Sequence, residues 1–376
     1  MTMRRAIIHI GMPRTGSTSL QQVLATLRPR LGRAGLLYPE LAPPGAPDGA
    51  DVNHQSLGEA LDGRRPRAQR RTILERLDRT LAETDADTVI LSYEDFSVQR
   101  PGFRAPETLA AIFARRGFAM EVAMAVKPPF EFLNSAYAHR AQLVKETRSF
   151  RGYARAHRRS GRLDYRALIA PWARAANGPV TAVPLRDARS DATLVERFVA
   201  ALGLTERLGP MMDAQTLRTV TNRSPGPLAV EASRRLRRLR VHRQVAGHPR
   251  RVGHVLDQAA WSRGLDPEPF RGDAPDLRDE IAERFASSCE RFAELAWGTS
   301  WDRVVAAAPA RAPNEWAGRP IPPETEAQVA LLMRETMRRF DFHAPPAWRS
   351  APADWAEAAA QGLARLAGYE SRWRVH

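Results

Sequence analysis

The sequence predicts an α/β fold in which a mainly parallel central sheet carries helices on both faces. Short apolar runs rich in β-branched residues alternate along the chain with longer segments whose apolar residues recur at helical spacing. Strands that alternate with helices in this way favour a parallel sheet covered on both sides. Ligands of such sheets bind beyond the carboxyl ends of the strands, so we expect functional residues directly after each predicted strand.

The apolar runs and the helical spacing give the following elements in chain order. The predicted strands are residues 6–10, 88–92, 120–126 and 180–185. The predicted helices begin with one that opens near Ser17 and continue with residues 54–61, 68–81, 105–116, 130–144, 163–176 and 193–202. Residues 40–53 are rich in proline, glycine and aspartate, which is typical of a loop.

The composition is that of a folded globular protein. The 376 residues, 43% of them hydrophobic, allow one large domain or two. No run of 18 or more uncharged apolar residues occurs, and Pro13 and Arg14 soon interrupt the first apolar segment. We therefore expect a soluble, cytoplasmic chain with no transmembrane segment and no secretory signal. The single cysteine, Cys289, excludes an intramolecular disulfide and lies in a helical pattern, where we expect a buried side chain.

The chain is strongly basic, with a formal net charge of +15 that comes almost entirely from arginine. This charge indicates an acidic partner, and nucleic acid, anionic lipid, an acidic glycan or a polyanionic cofactor all fit. Arginine, alanine and proline are enriched together, which is also the bias that a high-GC genome produces without any function.

Residues 5–21, RAIIHIGMPRTGSTSLQ, form the clearest candidate for a binding site. A predicted strand ends at Gly11, a loop of small residues follows, and hydroxyl residues from Ser17 to Ser19 open the next helix. In a strand, loop and helix of this kind, unpaired N–H groups and the positive end of the helix dipole converge on one point. The segment therefore predicts an anion site, with a tight turn that binds no ligand as the alternative.

The spacing of residues 11–18, GMPRTGST, is close to the GxxxxGK[ST] loop of nucleoside triphosphatases, but Ser17 stands at the lysine position and the cation is Arg14. This arrangement resembles the 5′-phosphosulfate loop of sulfotransferases that use 3′-phosphoadenosine 5′-phosphosulfate (PAPS). The resemblance implies a P-loop-like nucleotide-binding fold. It also implies that the 5′-phosphosulfate binds to Arg14, Thr15, Gly16, Ser17, Thr18 and Ser19.

A second motif follows the strand at residues 120–126. Lys127 ends that strand, and Ser135 lies eight residues later, about two turns into the next helix, so a cation and a hydroxyl can meet one phosphate. The 3′-phosphate site of PAPS sulfotransferases has Arg-x-Pro and then a serine eight residues after the arginine. Here lysine replaces the arginine, and its compact charge lacks the planar fork that grips a phosphate with two hydrogen bonds. The alternative is a lysine whose stem packs at a strand end and an ordinary helix serine.

The likeness to bacterial sulfotransferases, particularly those related to the carbohydrate enzymes, continues through residues 163–202 and 222–224 and more weakly through 281–302. It predicts one sulfotransferase-like α/β domain at residues 5–305. Residues 306–376 carry no recognisable motif and are predicted to form a helical extension, with helices near 324–340 and 354–367. Tyr165 and Trp172 have helical spacing and are expected in the core.

The segment at residues 234–251 carries eight arginines in 18 residues. We interpret it as a solvated helix face, with a surface for an acidic substrate or a membrane as the alternative.

Sulfuryl transfer needs a base for the acceptor hydroxyl and a cation for the charge that develops on the leaving phosphate. Arg14 is the candidate for the leaving group. For the base we favour Glu94, because it follows the strand at residues 88–92 and because the carbohydrate sulfotransferases that the chain resembles use a glutamate. Glu94 as a structural partner of Arg14 or a helix cap is the alternative. His54 is the second candidate base, while His9 lies inside a strand and is expected to be a core residue.

The sequence therefore predicts a PAPS-dependent sulfotransferase that needs no metal and acts on a hydroxyl of a carbohydrate or small metabolite. The positive charge favours an acidic acceptor, and no specific nucleic acid partner is expected. A P-loop kinase that uses ATP is the enzymatic alternative. A non-catalytic protein that binds a polyanion or nucleotide on a degenerate sulfotransferase scaffold is the alternative outside enzymes.

Overall fold

The computed structural model of the protein describes residues 4–43, 52–98, 104–178, 180–213, 217, 224–239, 249–309 and 311–340. The chain forms two compact units that are built from interleaved stretches. The first comprises Met1–Phe132, Arg158–Asn222 and Asp279–Pro309, and the second comprises Leu133–His157, Arg223–Arg278 and Ala310–His376. The sequence interpretation divides the chain differently, with a single boundary after residue 305.

The first unit contains the central sheet, in which every described strand pair is parallel. Its strands are β1 (Arg4–His9), β2 (Leu36–Leu37), β3 (Thr88–Ser92), β4 (Phe118–Val126) and β5 (Val180–Pro184), in the order β2-β3-β1-β4-β5. Four of them coincide with predicted strands. The fifth, β2, has only two residues and too short an apolar run to be recognised in the sequence. The predicted parallel α/β fold is confirmed.

The helices of the first unit follow the predicted pattern closely. They are α1 (Ser17–Leu31), α2 (Gln55–Leu61), α3 (Arg67–Glu83), α4 (Ala105–Arg115), α7 (Tyr165–Ala176), α8 (Leu194–Ala201) and α9 (Thr205–Leu208). Local chemistry sets several of these ends. At α8, for example, the Thr193 hydroxyl accepts the N–H of Glu196 while the Glu196 carboxylate accepts the N–H of Thr193, which is a capping box.

Two sets of helices cover the two faces of the sheet. On one face, α1 and α8 pack on Ile7, Ala123 and Val183 in a single apolar cluster. Helices α4 and α7 contact β4 and each other. The crossover after β1 runs in one direction along the sheet, and the crossovers after β3 and β4 run in the other direction. Because connections between parallel strands are right-handed, the first crossover and the other two lie on opposite faces of the sheet.

The residues expected in the core of this unit are buried. Tyr165 and Trp172 are fully buried, and the Trp172 indole N–H donates to the carbonyl of Phe96 at 3.2 Å. Cys289 is also buried, which raises the pKa of its thiol to about 12. At that pKa the thiol is protonated at neutral pH, as suits a small apolar side chain.

The second unit is helical in the residues described. It contains α6 (Phe150–His157), α10 (Pro227–Arg238), α11 (Pro249–Ser262) and α13 (Pro323–Arg339), while α5 (Pro129–Gln142) and α12 (Pro275–Trp297) contribute residues to both units. Helices α10, α11 and α13 share an apolar core around Leu236, Leu256 and Leu332. The helix predicted near residues 324–340 is confirmed as α13, and the one predicted near 354–367 lies outside the described residues. None of the described helices is long and apolar enough to cross a membrane.

The arginine-rich segment differs from its predicted solvated face. Arg234 and Arg235 lie on α10 and are buried, each with a carboxylate partner. Glu231 accepts from Nη1 of Arg234 at 2.5 Å and from Nε of Arg235 at 2.9 Å, and Glu326 of α13 accepts from both terminal nitrogens of Arg235. The helical pattern of the segment did not predict this burial, because Glu326, the partner on α13, lies far away in sequence. Residues 240–248 of the segment lie outside the described part of the chain.

We expect Arg235→Met to lower the free energy of unfolding of the protein by about 3–5 kcal/mol, because the substitution removes the buried cation that pairs with Glu326 and one of the two that pair with Glu231. Urea titrations followed by circular dichroism measure the change. Arg238→Met on the same helix is the matched control, since Arg238 is exposed, and it should cost about 0.5 kcal/mol or less. Equal effects of the two substitutions would contradict a stabilising role for the buried pairs.

Candidate functional site

The sheet of the first unit has a switch point at the carboxyl ends of β1 and β4. The chain leaves β1 through α1 and returns at β2, on one side of the sheet, whereas from β4 it passes through α5, α6 and α7 and returns at β5, on the other side. Ligands of open α/β sheets bind in the crevice that opens where neighbouring strands diverge in this way. The loop after β1 and the residues after β4 border that crevice.

The loop after β1 depends on three residues in the left-handed region of backbone space. Gly11, Arg14 and Gly16 have φ values of 82°, 66° and 86°. A Cβ atom at Gly11 would lie 2.3 Å from Cα of Glu94, so only glycine allows the loop to approach that residue so closely. The sequence motif thus encodes both the turn and its contact with the end of β3.

Side chains within the loop stabilise this conformation. The Thr15 hydroxyl donates to the carbonyl of Met12 at 2.6 Å, and the Ser17 hydroxyl donates to the same carbonyl at 3.2 Å. Two of the predicted phosphosulfate ligands therefore use their hydroxyls to close the loop, which leaves their backbone groups as the means of contact with an anion.

Helix α1 begins at Ser17 after Gly16, an N-cap residue that has no capping side chain, and the Ser19 N–H donates to the carbonyl of Gly16 at 3.1 Å. The first turn also carries the half-buried Thr18 and Ser19. The N-terminus of a 15-residue helix without such a cap offers backbone donors and a positive dipole end to an anion. The predicted βα anion geometry is therefore present at the switch point.

Lys127 joins the end of β4 to this loop. Its side chain is only 3% exposed, and Nζ donates to the carbonyl of Arg14 at 2.6 Å. The Tyr165 hydroxyl donates to the carbonyl of Lys127 at 2.5 Å and so fixes its backbone. Burial, with the nearby charge of Arg14, lowers the pKa of the Lys127 ammonium to about 7. Lys127 and Arg14 therefore lie together, and Nζ of Lys127 supports the loop after β1 through its hydrogen bond to the Arg14 carbonyl.

Ser135, the predicted partner of Lys127 at a 3′-phosphate, lies in the second turn of α5 and belongs to the second unit. It is half-buried. Its proposed contact with a phosphate stays a prediction.

Sequence reasoning missed a third cation beside the crevice. Arg186 follows β5 directly and forms an ion pair with Glu131, whose other carboxylate oxygen accepts the N–H of Ala308 at 2.6 Å. The charges of Arg14 and Arg186 both lower the pKa of Lys127, and the charge of Glu131 raises it, so the four side chains interact electrostatically. The position directly after a strand was the signal that would have identified Arg186.

Glu94 lies beside the loop, at the start of a short 3-10 helix, Glu94–Ser97, that follows β3. Its side chain is half-buried, and Oε2 accepts a hydrogen bond from the Gln21 amide at 3.0 Å. The Ser97 hydroxyl donates to the Glu94 carbonyl at 2.9 Å, and the Ser97 N–H donates to Ile10 at 3.0 Å. The carboxylate is therefore held next to the anion loop.

The two histidines of the prediction have structural contacts. His54 is 1% exposed; its Nδ1 accepts the N–H of Ser92 at 2.9 Å, so Nε2 carries the hydrogen and donates to the carbonyl of Pro39 at 3.0 Å. Burial lowers the pKa of His54 to about 4. His9 is equally buried, as expected for a core residue, and burial lowers its pKa to about 3. With both ring nitrogens of His54 bonded to backbone, Glu94 is the better-placed base.

These low pKa values predict a loss of stability in acid. An unfolded histidine takes up a proton near pH 6.5, whereas folded His54 takes one up only near pH 4. The unfolded chain therefore binds more protons below pH 6.5, and the free energy of unfolding falls as the pH drops from 6.5 towards 4. Urea titrations between pH 7.5 and 4.5 should show this slope in the wild type.

In His54→Gln the slope should be shallower over the same range, because glutamine does not titrate. An unchanged slope would contradict a neutral, buried His54.

Comparisons of the chain with protein-family models, with curated proteins and with solved structures returned no match. The residues and geometry of the site are therefore the basis on which a function is inferred. They combine an anion loop at a switch point, three cations and one carboxylate held against the loop.

Proposed function

We propose that the protein is a PAPS-dependent sulfotransferase that transfers a sulfuryl group to a hydroxyl of a carbohydrate or small metabolite and releases 3′-phosphoadenosine 5′-phosphate (PAP). The observation that carries the proposal is the contact of the anion loop with Glu94 at Gly11. It puts a group that can accept a proton beside a site that can hold a phosphosulfate. Transfer from PAPS requires both functions in one place.

The charge around the loop suits a polyanionic nucleotide. Arg14, Lys127 and Arg186 contribute three cations when Lys127 is protonated, and Glu131 contributes one negative charge to the same group. With the Glu94 carboxylate beside the loop also counted, an excess of one positive charge remains, and beside backbone donors it favours a ligand with several phosphate or sulfate charges. The pKa of Lys127 near 7 means that an approaching anion favours its charged form.

In the proposed reaction the acceptor oxygen attacks the sulfur atom and the bond from sulfur to the 5′-phosphate oxygen breaks. The acceptor proton passes to Glu94, and the bonding electrons remain on the phosphate oxygen of PAP. Arg14 neutralises that developing charge, as preorganised donors do at other leaving groups. The sulfuryl group keeps its charge throughout, so the protein needs to supply only position, one base and cations.

The kinase alternative finds less support in the loop. A P-loop kinase has a lysine at the position of Ser17, and here the Ser17 hydroxyl is bonded to the carbonyl of Met12. The non-catalytic alternative has one observation in its favour. Nζ of Lys127, the proposed contact to the 3′-phosphate, is buried and donates to the carbonyl of Arg14. A nucleotide titration distinguishes the three functions.

PAP should raise the melting temperature of the protein without added metal. A ligand that binds only the folded state stabilises it by RT ln(1 + [L]/Kd), which is about 2.7 kcal/mol at a hundredfold excess over Kd. Thermal unfolding is measured with PAP, ATP-Mg and heparin in parallel. Stabilisation by ATP-Mg without stabilisation by PAP would favour the kinase, and stabilisation by heparin alone would favour the polyanion-binding scaffold.

Substitutions at Arg14 and Glu94 should separate chemistry from binding. Arg14→Ala should slow turnover by roughly 10²–10³-fold, the range for loss of one donor to a developing anion, and should weaken PAP binding less than that. Glu94→Gln keeps the shape of the side chain and should leave PAP affinity nearly unchanged while turnover falls by roughly 10²–10⁴-fold. Conversion of PAPS to PAP is assayed across a panel of sugars, phenols and alcohols.

The control is His54→Gln, which alters the second candidate base. If that variant is folded but inactive while Glu94→Gln turns over at the wild-type rate, the base is His54 and the assignment to Glu94 is wrong.

A further inference from the structure

A chain of buried polar side chains ends on Glu94. Gln21 of α1 is 2% exposed, and its Nε2 atom donates to Oε2 of Glu94 at 3.0 Å and to the hydroxyl oxygen of Ser92 at 3.1 Å. That oxygen lies 2.7 Å from Nδ1 of His9. Ser92 is fully buried and His9 is 1% exposed, so the chain runs from the interior of the sheet to the edge of the crevice.

The chemistry of the groups sets the direction of these hydrogen bonds. An ionised carboxylate only accepts hydrogen bonds, so Gln21 presents its NH₂ group to Glu94, and the second hydrogen of that group reaches Ser92. The same Ser92 oxygen lies 2.7 Å from Nδ1 of His9, and the tautomer of His9 decides which of the two donates. His9 is neutral because burial lowers its pKa to about 3. The two acceptors, Glu94 and Ser92, therefore determine the orientation of the Gln21 amide.

A polar side chain at Gln21 is costly without such partners. The residue lies among apolar core positions of α1, including Leu20 and Leu24. Burying an amide without hydrogen bonds is unfavourable, whereas an amide with two acceptors is stable in the interior. Gln21 donates both hydrogen bonds to residues at or just after the end of β3. A leucine or methionine at this position would occupy the same space but could not make these hydrogen bonds.

We propose that Gln21 is a positioning residue for the base: its amide, oriented by Ser92 and His9, holds one oxygen of Glu94 and directs the other towards the acceptor. This inference rests on the proposed function, in which Glu94 accepts the proton. No described residue donates to Oε1 of Glu94, which leaves that oxygen to meet a hydroxyl. A carboxylate held in one rotamer is a better base than one that samples several, because its geometry is set before the substrate binds.

The hydrogen bond from Gln21 also polarises Oε2 of Glu94, so its loss should change the carbon-13 chemical shift of that carboxylate. Other charged and titratable groups surround the carboxylate. Tyr93 and Asp95 flank it in sequence, and Arg64 from the turn before α3 donates to the Tyr93 hydroxyl at 3.1 Å and lies 4.0 Å from Asp95. His9 contributes through Ser92, and Arg14 lies in the adjoining loop. These groups are unchanged in a Gln21 variant, so a shift reports the lost amide contact.

The test compares Gln21→Met, which has a similar volume and no hydrogen-bond donor, with the wild type. The carboxylate of Glu94 is observed at neutral pH by carbon-13 NMR of glutamate-labelled protein, with the signal assigned by its loss in Glu94→Gln. We expect this signal to move, because the carboxylate loses its amide donor. The value of kcat should fall about tenfold, as fits the loss of one hydrogen bond to a charged group, while PAP affinity should stay within about twofold.

Gln22→Met is the matched control, because Gln22 is the next residue of the same helix and is only half-buried; it should change none of these quantities. Gln21→Glu is a second variant, which has the same length and offers an acceptor in place of the amide donor, so the carbon-13 signal of Glu94 should move here too. It keeps the inference testable if the methionine variant is unstable.

A Glu94 carbon-13 signal that is the same in the wild type and both Gln21 variants would overturn the inference, even if turnover fell, because a purely structural role lowers activity without changing the contacts of the carboxylate. Failure of the proposed function is recognised separately, by the absence of PAP binding and of turnover in the wild type. The NMR measurement needs neither PAP nor an acceptor, so it decides the contact between Gln21 and Glu94 in either case.

Discussion

The hydrogen bond from Nζ of Lys127 to the carbonyl of Arg14 joins the two strand ends between which the candidate site lies. It holds a loop whose Arg14 has a left-handed backbone conformation that is uncommon outside glycine. Tyr165, at the start of α7, in turn holds the carbonyl of Lys127. A loop supported in this way needs little rearrangement when an anion binds, which favours affinity because less ordering accompanies binding.

The hydrogen bond between Lys127 and Arg14 gives a structural reason for a lysine in the second sequence motif. As a replacement for an arginine, Lys127 is a weaker grip on a phosphate. As a buried donor to the loop, it performs a role for which a compact ammonium with several donors is well suited, and a planar guanidinium would need more room. Arg14 and Arg186 are both half-buried at this edge, and Arg186 is paired with Glu131.

The fold was predictable from the sequence because apolar periodicity reports burial directly, and four strands and most helices follow it. The positions of Arg14, Glu94 and Lys127 were predictable because they end parallel strands. The contacts of these residues were not, since they depend on partners far away in sequence. Gln21 looks like a surface residue of α1 until the end of β3 is placed beside it, and His54 looks like a candidate base until Ser92 and Pro39 occupy both its nitrogens.

The close approach of Gly11 to Glu94 has a further consequence for how the site can change. The two residues meet through main-chain atoms, since even a Cβ atom at Gly11 would overlap Cα of Glu94. The separation between the loop and the backbone of Glu94 is therefore set by main-chain atoms and does not depend on the side chains that surround the crevice. Protein engineers can alter those surrounding side chains while the spacing between the loop and residue 94 is retained.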